Sequence, residues 1–114
     1  MKVLYTAKPM EERTPEDIYN LTRDRNALGL SDANLGDMIV LDYLAWTDEK
    51  GSYLSLIAQT AEDKTMHYVT NGMPFISEFE YIADAFGAPV KIDIVEGTSK
   101  ANRKYRIPAT PRRV

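Results

Sequence analysis

The sequence predicts a mainly-β domain: a small antiparallel barrel of five strands, one helix between the third and fourth, and an N-terminal extension. Three observations predict it. Between Asp37 and Thr70, strand-forming residues fall into three runs separated by short polar turns, and alternation within such runs is the mark of half-buried strands. Pro74–Phe86 then changes to helical spacing. Two further alternating runs follow it.

The N-terminal part is the least regular. Val3-Leu4-Tyr5 reads as an edge strand or a frayed end. Thr14-Pro15-Glu16-Asp17 has the signature of a helix start: a hydroxyl for the cap, proline in the first turn, acids behind it. Ile18–Thr22 suits a short helix or a strand equally. Asn26–Gly36, rich in Gly, Asn, Asp and Ser, reads as a loop with at most a turn of helix.

The strands are better marked. Met38–Trp46 carries Ile, Val, Leu, Tyr and Trp, all good strand formers. Thr47–Gly51 is a polar turn, and Ser52–Thr60 a second strand with Leu54, Leu56 and Ala58 on one face and Tyr53, Ser55, Ile57 and Gln59 on the other. Ala61–Lys64 turns the chain into a third strand, Thr65–Thr70. Asn71-Gly72 breaks it. Phe75, Phe79, Ile82 and Phe86 then form the apolar stripe of an amphipathic helix that Gly87 stops. That stripe is read as core, not as a cofactor site. Val90, Ile92 and Ile94 alternate with Lys91 and Asp93, Glu96–Lys100 turns, and Arg103–Ile107 is the last strand, ended by Pro108 and Pro111. Three strands, a helix and two strands is the order of the OB-fold, whose sheet face binds oligonucleotides. On this reading residues 37–114 are the OB-fold domain, and residues 1–36 an extension packed on the barrel or continuing it.

Composition narrows the function. The 114 residues contain no cysteine, which excludes disulfides and thiolate chemistry. His67 is the only histidine, so no histidine-rich metal site is available, and no nucleophile–base pair is visible. There is no phosphate-cradling glycine loop and no calcium loop. No enzyme, cofactor or metal is therefore expected. No apolar run approaches the roughly 20 residues of a spanning helix, and no apolar stretch follows Lys2 as in a leader peptide. A cytoplasmic protein without membrane contact is expected.

Charge is unevenly placed. Residues 1–90 carry a balance of -8 and residues 91–114 a balance of +5, within a net charge of -3. A basic segment on an acidic body points to an anionic partner for that segment. Its centre, Arg103-Lys104-Tyr105-Arg106, interleaves three cations with a ring, with Lys100 in the preceding turn and Lys91 on the adjoining strand. Aromatic side chains that face outward from strands offer stacking platforms for unpaired bases, worth roughly 1–3 kcal/mol each. Trp46, Tyr53 and Tyr68 are the candidates, all or in part.

The segments Tyr68-Val69-Thr70-Asn71, Phe75–Phe79, Val90–Lys100 and Arg103-Lys104-Tyr105 together resemble the short single-stranded DNA-binding proteins of tailed phages of Gram-positive bacteria, including those of protein-primed phages. The likeness runs in order over about residues 16–107 and is closest in the last third. It implies an OB-like barrel that coats displaced strands during phage DNA replication in the host cytoplasm. It places the binding role on Tyr68, Lys91, Lys100, Arg103, Lys104 and Tyr105, with self-association or replication proteins as further partners. Ala101-Asn102-Arg103 stands where the pattern often has Lys-Gly-Arg. One cation is lost there, while Asn102 tolerates the left-handed conformation such a turn needs.

Sequence-independent binding of single-stranded DNA is thus the leading expectation. A protein-interaction module that docks through its acidic face, without binding nucleic acid, is the alternative. A small hydrolase ranks last.

Overall fold

A computed structural model describes all 114 residues. Seven strands and two α-helices follow one another as β1 (Lys2–Thr6), α1 (Pro15–Arg23), β2 (Leu28–Gly29), β3 (Gly36–Asp48), β4 (Gly51–Thr60), β5 (Thr65–Thr70), α2 (Met73–Phe86), β6 (Val90–Thr98) and β7 (Lys104–Arg112). The strands form one sheet in the order β2-β5-β4-β3-β6-β7, and β1 pairs with β3 beside it.

β3 organises the sheet. Its first half pairs with β6, Gly36 opposite Ile94 through Val40 opposite Val90. Its second half pairs with β1, Thr6 opposite Leu44 through Lys2 opposite Thr47. A bulge separates the halves: Val40 faces Ala58 and Asp42 faces Ile57 on β4, leaving Leu41 as the extra residue. One extra residue inverts the alternation and bends the strand. Met38 and Val40 therefore point to the same core as Tyr43 and Ala45.

That core lies on the inner face, under α2. Leu54, Leu56 and Ala58 of β4 and Val90, Ile92 and Ile94 of β6 meet Phe75, Ile76, Phe79 and Ile82 of the helix. The phenylalanine stripe is core, as its spacing predicts. Phe79 sits edge-on to Tyr43 with centroids 5.0 Å apart, and the Tyr5 hydroxyl donates to the Ile76 carbonyl at 2.7 Å. Gly87 ends the helix at φ +66°, a conformation that glycine adopts without strain.

The expected closed barrel of five strands does not form. The sheet is a curled half-barrel with OB-like connectivity, and no ladder joins β5 to β7. Residues from the N-terminal extension lie at the seam instead. β2 adds a short parallel pairing to β5, with Leu28 opposite Tyr68 and Gly29 opposite Val69. The 3-10 turn Leu30–Asp32 follows and buries Leu30. From the other side Arg106 of β7 donates two hydrogen bonds to the Ala33 carbonyl, at 3.2 and 3.4 Å.

The rest of the extension crosses the outer face. α1 begins where the sequence places it, with a reciprocal cap: the Asp17 amide donates to Thr14 Oγ1 and the Thr14 amide to the Asp17 carboxylate. Ile18–Thr22 is helical, and Leu21 packs on Leu44 and Trp46. Arg13 anchors the crossing. Its buried guanidinium donates to both oxygens of Asp42 at 2.9 and 2.7 Å, to Thr6 Oγ1 and to the Tyr43 carbonyl. Paired donors on a carboxylate are among the stronger polar contacts in proteins.

The last strand departs from expectation at its end. β7 continues through Pro108 and Pro111 to Arg112, although both prolines were expected to end it. β7 is an edge, where a missing N–H leaves no neighbour unpaired. No helix is long and apolar enough to cross a membrane.

Candidate nucleic-acid interface

The alternation of β4 and β5 puts Tyr53, Ser55, His67 and Val69 on the outer face and Leu54, Leu56 and Tyr68 on the inner. α1 covers only part of that outer face, and two open cavities remain beside it. The larger, about 1210 Å³, lies between the α1–β2 connection and the β3–β4 hairpin, with Trp46 and Tyr53 in its wall. The smaller, about 440 Å³, lies at the seam, between the end of β5 with the start of α2 and Lys104-Tyr105-Arg106 of β7. Gly29, Tyr53 and Val69 line both. The cavities are therefore two lobes of one groove that meet at Tyr53.

Five of the nine residues singled out from the sequence line this groove: Trp46, Tyr53, Lys104, Tyr105 and Arg106. Tyr53 is half-buried, and its ring stacks on Trp46 at 5.4 Å with 27° between planes. Trp46 itself is only 6% exposed, so it backs Tyr53 more than it offers a face of its own. Tyr105 lies across from Gly97 in the β6–β7 ladder. A Cβ on Gly97 would stand 2.8 Å from the Tyr105 ring and 2.7 Å from Ile107. Glycine at that position lets the ring lie flat on its neighbour strand.

The cations divide three ways. Lys100 and Arg103 occupy the β6–β7 turn, exposed and without an acidic partner. Asn102 takes φ +60° in that turn, as its tolerance for the left-handed region allows. Lys104 and Arg106 both approach Glu96, at 3.7 and 3.2 Å. Arg106 is further engaged by Ala33 and acts as a seam tie as much as a groove charge. Lys91 pairs with Asp37 at 3.3 Å and lines neither lobe. Tyr68, 6% exposed and turned to the inner core, lines neither lobe as well.

Sequence reading missed two features. The first is the opposite bank of the groove: Lys2, Arg23, Arg25 and Lys50 line the larger lobe. The second is a linkage of Ser55, His67 and Asp24, which contradicts the expectation that no nucleophile–base pair is present. Ser55 Oγ and His67 Nε2 share a short hydrogen bond, and His67 Nδ1 lies 2.8 Å from Asp24 Oδ2. Ionised Asp24 accepts from Nδ1–H, and in that tautomer of the neutral ring Nε2 accepts from the serine. That bond from His67, with a second from the Asn26 amide, holds the Asp24 carboxyl below the usual carboxylate range. The atoms have the order of a hydrolytic triad, but the setting is structural. Ser55 is fully buried and paired on both sides, to Leu44 and to Val69. It lies inside a regular strand and not on the strained turn that exposes a nucleophilic serine. The linkage fastens the α1–β2 connection to the sheet across a separation of 43 residues.

No family model, curated protein or solved structure matches this chain. The likeness to phage single-strand-binding proteins therefore stands on the motifs quoted above, and function has to be argued from the groove.

Proposed function

We propose that this chain binds single-stranded DNA without sequence preference, protecting displaced strands during replication of the phage type that its motifs resemble. The observation that carries the reading is the junction at Tyr53. A ring backed by Trp46 marks the junction of the two lobes, and a second ring, Tyr105, lines one end with Lys104 and Arg106, next to the turn that carries the exposed cations Lys100 and Arg103. Flat rings stack on any base, and cations follow the backbone, so neither requires a particular sequence. The groove crosses the sheet face that OB-folds use for oligonucleotides, between the two hairpin loops that flank it. The acidic remainder of the chain opposes a broad clamp on duplex. No catalytic step enters this reading.

Fluorescence titration with oligo-dT, duplex DNA and RNA at two salt concentrations tests it. Trp46 is the only tryptophan and touches Tyr53, so a base stacked on Tyr53 changes its emission. Saturable quenching by oligo-dT is expected, with log affinity falling against log salt by about 0.7 per phosphate neutralised. Unchanged emission together with an unshifted band in a mobility assay overturns the proposal. The alternative, an acidic docking face, has one observation behind it: Tyr81 of α2 is 74% exposed and has Glu78, Glu80 and Asp84, all exposed, on the same helix. A protein partner captured by Glu80→Lys-sensitive binding, with no response to polynucleotide, would favour it.

A further inference from the structure

The N-terminal extension does more than sit at the seam. We infer that its Lys2, Arg23 and Arg25 join Lys50 of the β3–β4 hairpin in a second set of phosphate-binding cations, so that a strand held at the β6–β7 hairpin continues past Tyr53 into the larger lobe. The inference rests on the groove being a polynucleotide site and extends that site to residues that neither the charge pattern nor the motifs indicate.

Arg23, Arg25, Lys2 and Lys50 all line the larger lobe, and none has an acidic partner or a side-chain hydrogen bond. Three acids line the same lobe: Asp24, Asp48 and Glu49. Asp24 is bonded to His67 and to the Asn26 amide. Asp48 accepts from the amides of Lys50 and Gly51 and closes the hairpin turn. Those bonds orient the two carboxylates without removing their charge, so four cations face three acids and the lobe keeps a balance of +1. The lobe is a local excess of positive charge on the acidic part of the chain, and such a cavity concentrates anions.

Position supports the same conclusion. Arg23 and Arg25 flank Asp24, and Asp24 is the residue fastened to the sheet by His67. The two guanidiniums are therefore presented from an anchored turn and lose less freedom when an anion arrives. Lys50 faces them from the tip of the β3–β4 hairpin. Trp46 and Tyr53 stand between the banks, which places the apolar rings inside and the cations at the rims, the arrangement a strand with bases inward and phosphates outward requires. The basic C-terminal hairpin lies at the other lobe, so one strand could be held by cations that are far apart in sequence.

The test compares wild-type protein with the double variant Arg23→Gln/Arg25→Gln, in oligo-dT of about 16 and about 4 nucleotides, the span of single OB sites. Both arginines are exposed, and circular dichroism checks that the fold is retained. With the longer oligomer the slope of log affinity against log salt is expected to shrink by about 1.4, roughly 0.7 for each cation removed. The shorter oligomer, held at one lobe, is expected to lose less. Lys50→Gln should add its own decrement of about 0.7 to the longer oligomer. An unchanged slope in the double variant, while wild-type protein binds the longer oligomer, overturns the second bank and leaves the hairpin site standing. If wild-type protein binds neither oligomer, the polynucleotide reading of the groove fails and this inference with it.

Discussion

The two faces of the sheet are built for different ends. The inner face packs 17 buried residues around α2, whereas the outer face has three, Leu21, Leu44 and Trp46, with partly buried neighbours. Both faces alternate with the same period, so the contrast comes from what covers them. A fourteen-residue helix closes the inner face. The outer face is covered only in part, by α1, and the area left open is the groove. Stability is concentrated on one side and the candidate site on the other.

That division can be tested by changing one side at a time. The largest expected effect is on the inner face. Phe79→Ala, at a fully buried ring, should cost about 3–5 kcal/mol in urea unfolding, with the folded fraction still able to bind oligo-dT. Asp42→Ala comes next, at the polar anchor of the segment that crosses the outer face. It leaves the Arg13 guanidinium buried without its carboxylate, and an uncompensated buried charge of this kind costs about 3 kcal/mol. A loss well under 1 kcal/mol in Phe79→Ala would break the contrast between the faces, and one as small in Asp42→Ala would show that the crossing is not held by this pair. In the groove the order of effects reverses. Tyr53→Ala should weaken oligo-dT binding by about 1–3 kcal/mol, one stacked base, with a smaller change in unfolding midpoint than Phe79→Ala. If its whole effect is on stability, the groove is not the site.

The smallest effect sharpens the comparison. The folded-state pKa of Asp24 is depressed by its bond from His67. Its contribution to stability is therefore present above the ordinary carboxylate value of 3.8 and is lost as the pH falls below that value through the folded-state pKa. Asp24→Asn should shift the acid-unfolding midpoint slightly and leave the denaturation midpoint at neutral pH nearly where Asn-for-Asp substitution in an exposed turn would put it. A large shift at neutral pH would show that the Ser55–His67–Asp24 linkage carries more of the outer face than its exposure suggests.

The same contrast explains what could be read from the sequence. Phe75, Phe79 and Ile82 at helical spacing, and Leu54, Leu56 and Ala58 at strand spacing, are local patterns that one face of one element settles. Thr14 with Asp17 is local too, and the helix starts there. The bulge at Leu41 moves the positions that face the inner core from even to odd numbers, and because Leu44 and Trp46 are apolar and buried on the other face a strand read with one phase hides it. Pro108 and Pro111 looked like terminators because their effect depends on whether the strand is an edge, and edges are decided by topology. Tyr68 was a matter of register: it neighbours Val69, which faces the groove, and points the other way. The basic hairpin could be seen as a cluster in sequence. The bank made by Arg23, Arg25 and Lys50 could not, because the fold alone brings a helix end and a hairpin tip together across the sheet.

The seam has a consequence for how the molecule is assembled. Leu28 and Gly29 find their partners only at Tyr68 and Val69, and Ala33 is tied by a guanidinium from the last strand. On a ribosome the plug is synthesised long before its socket. Distant pairings of this sort are slow to form because the intervening chain must first be confined. The wall shared by the two lobes is thus a late-completed and early-released part of the fold, and amide exchange along Leu28–Ala33 should outpace exchange in the middle of β4.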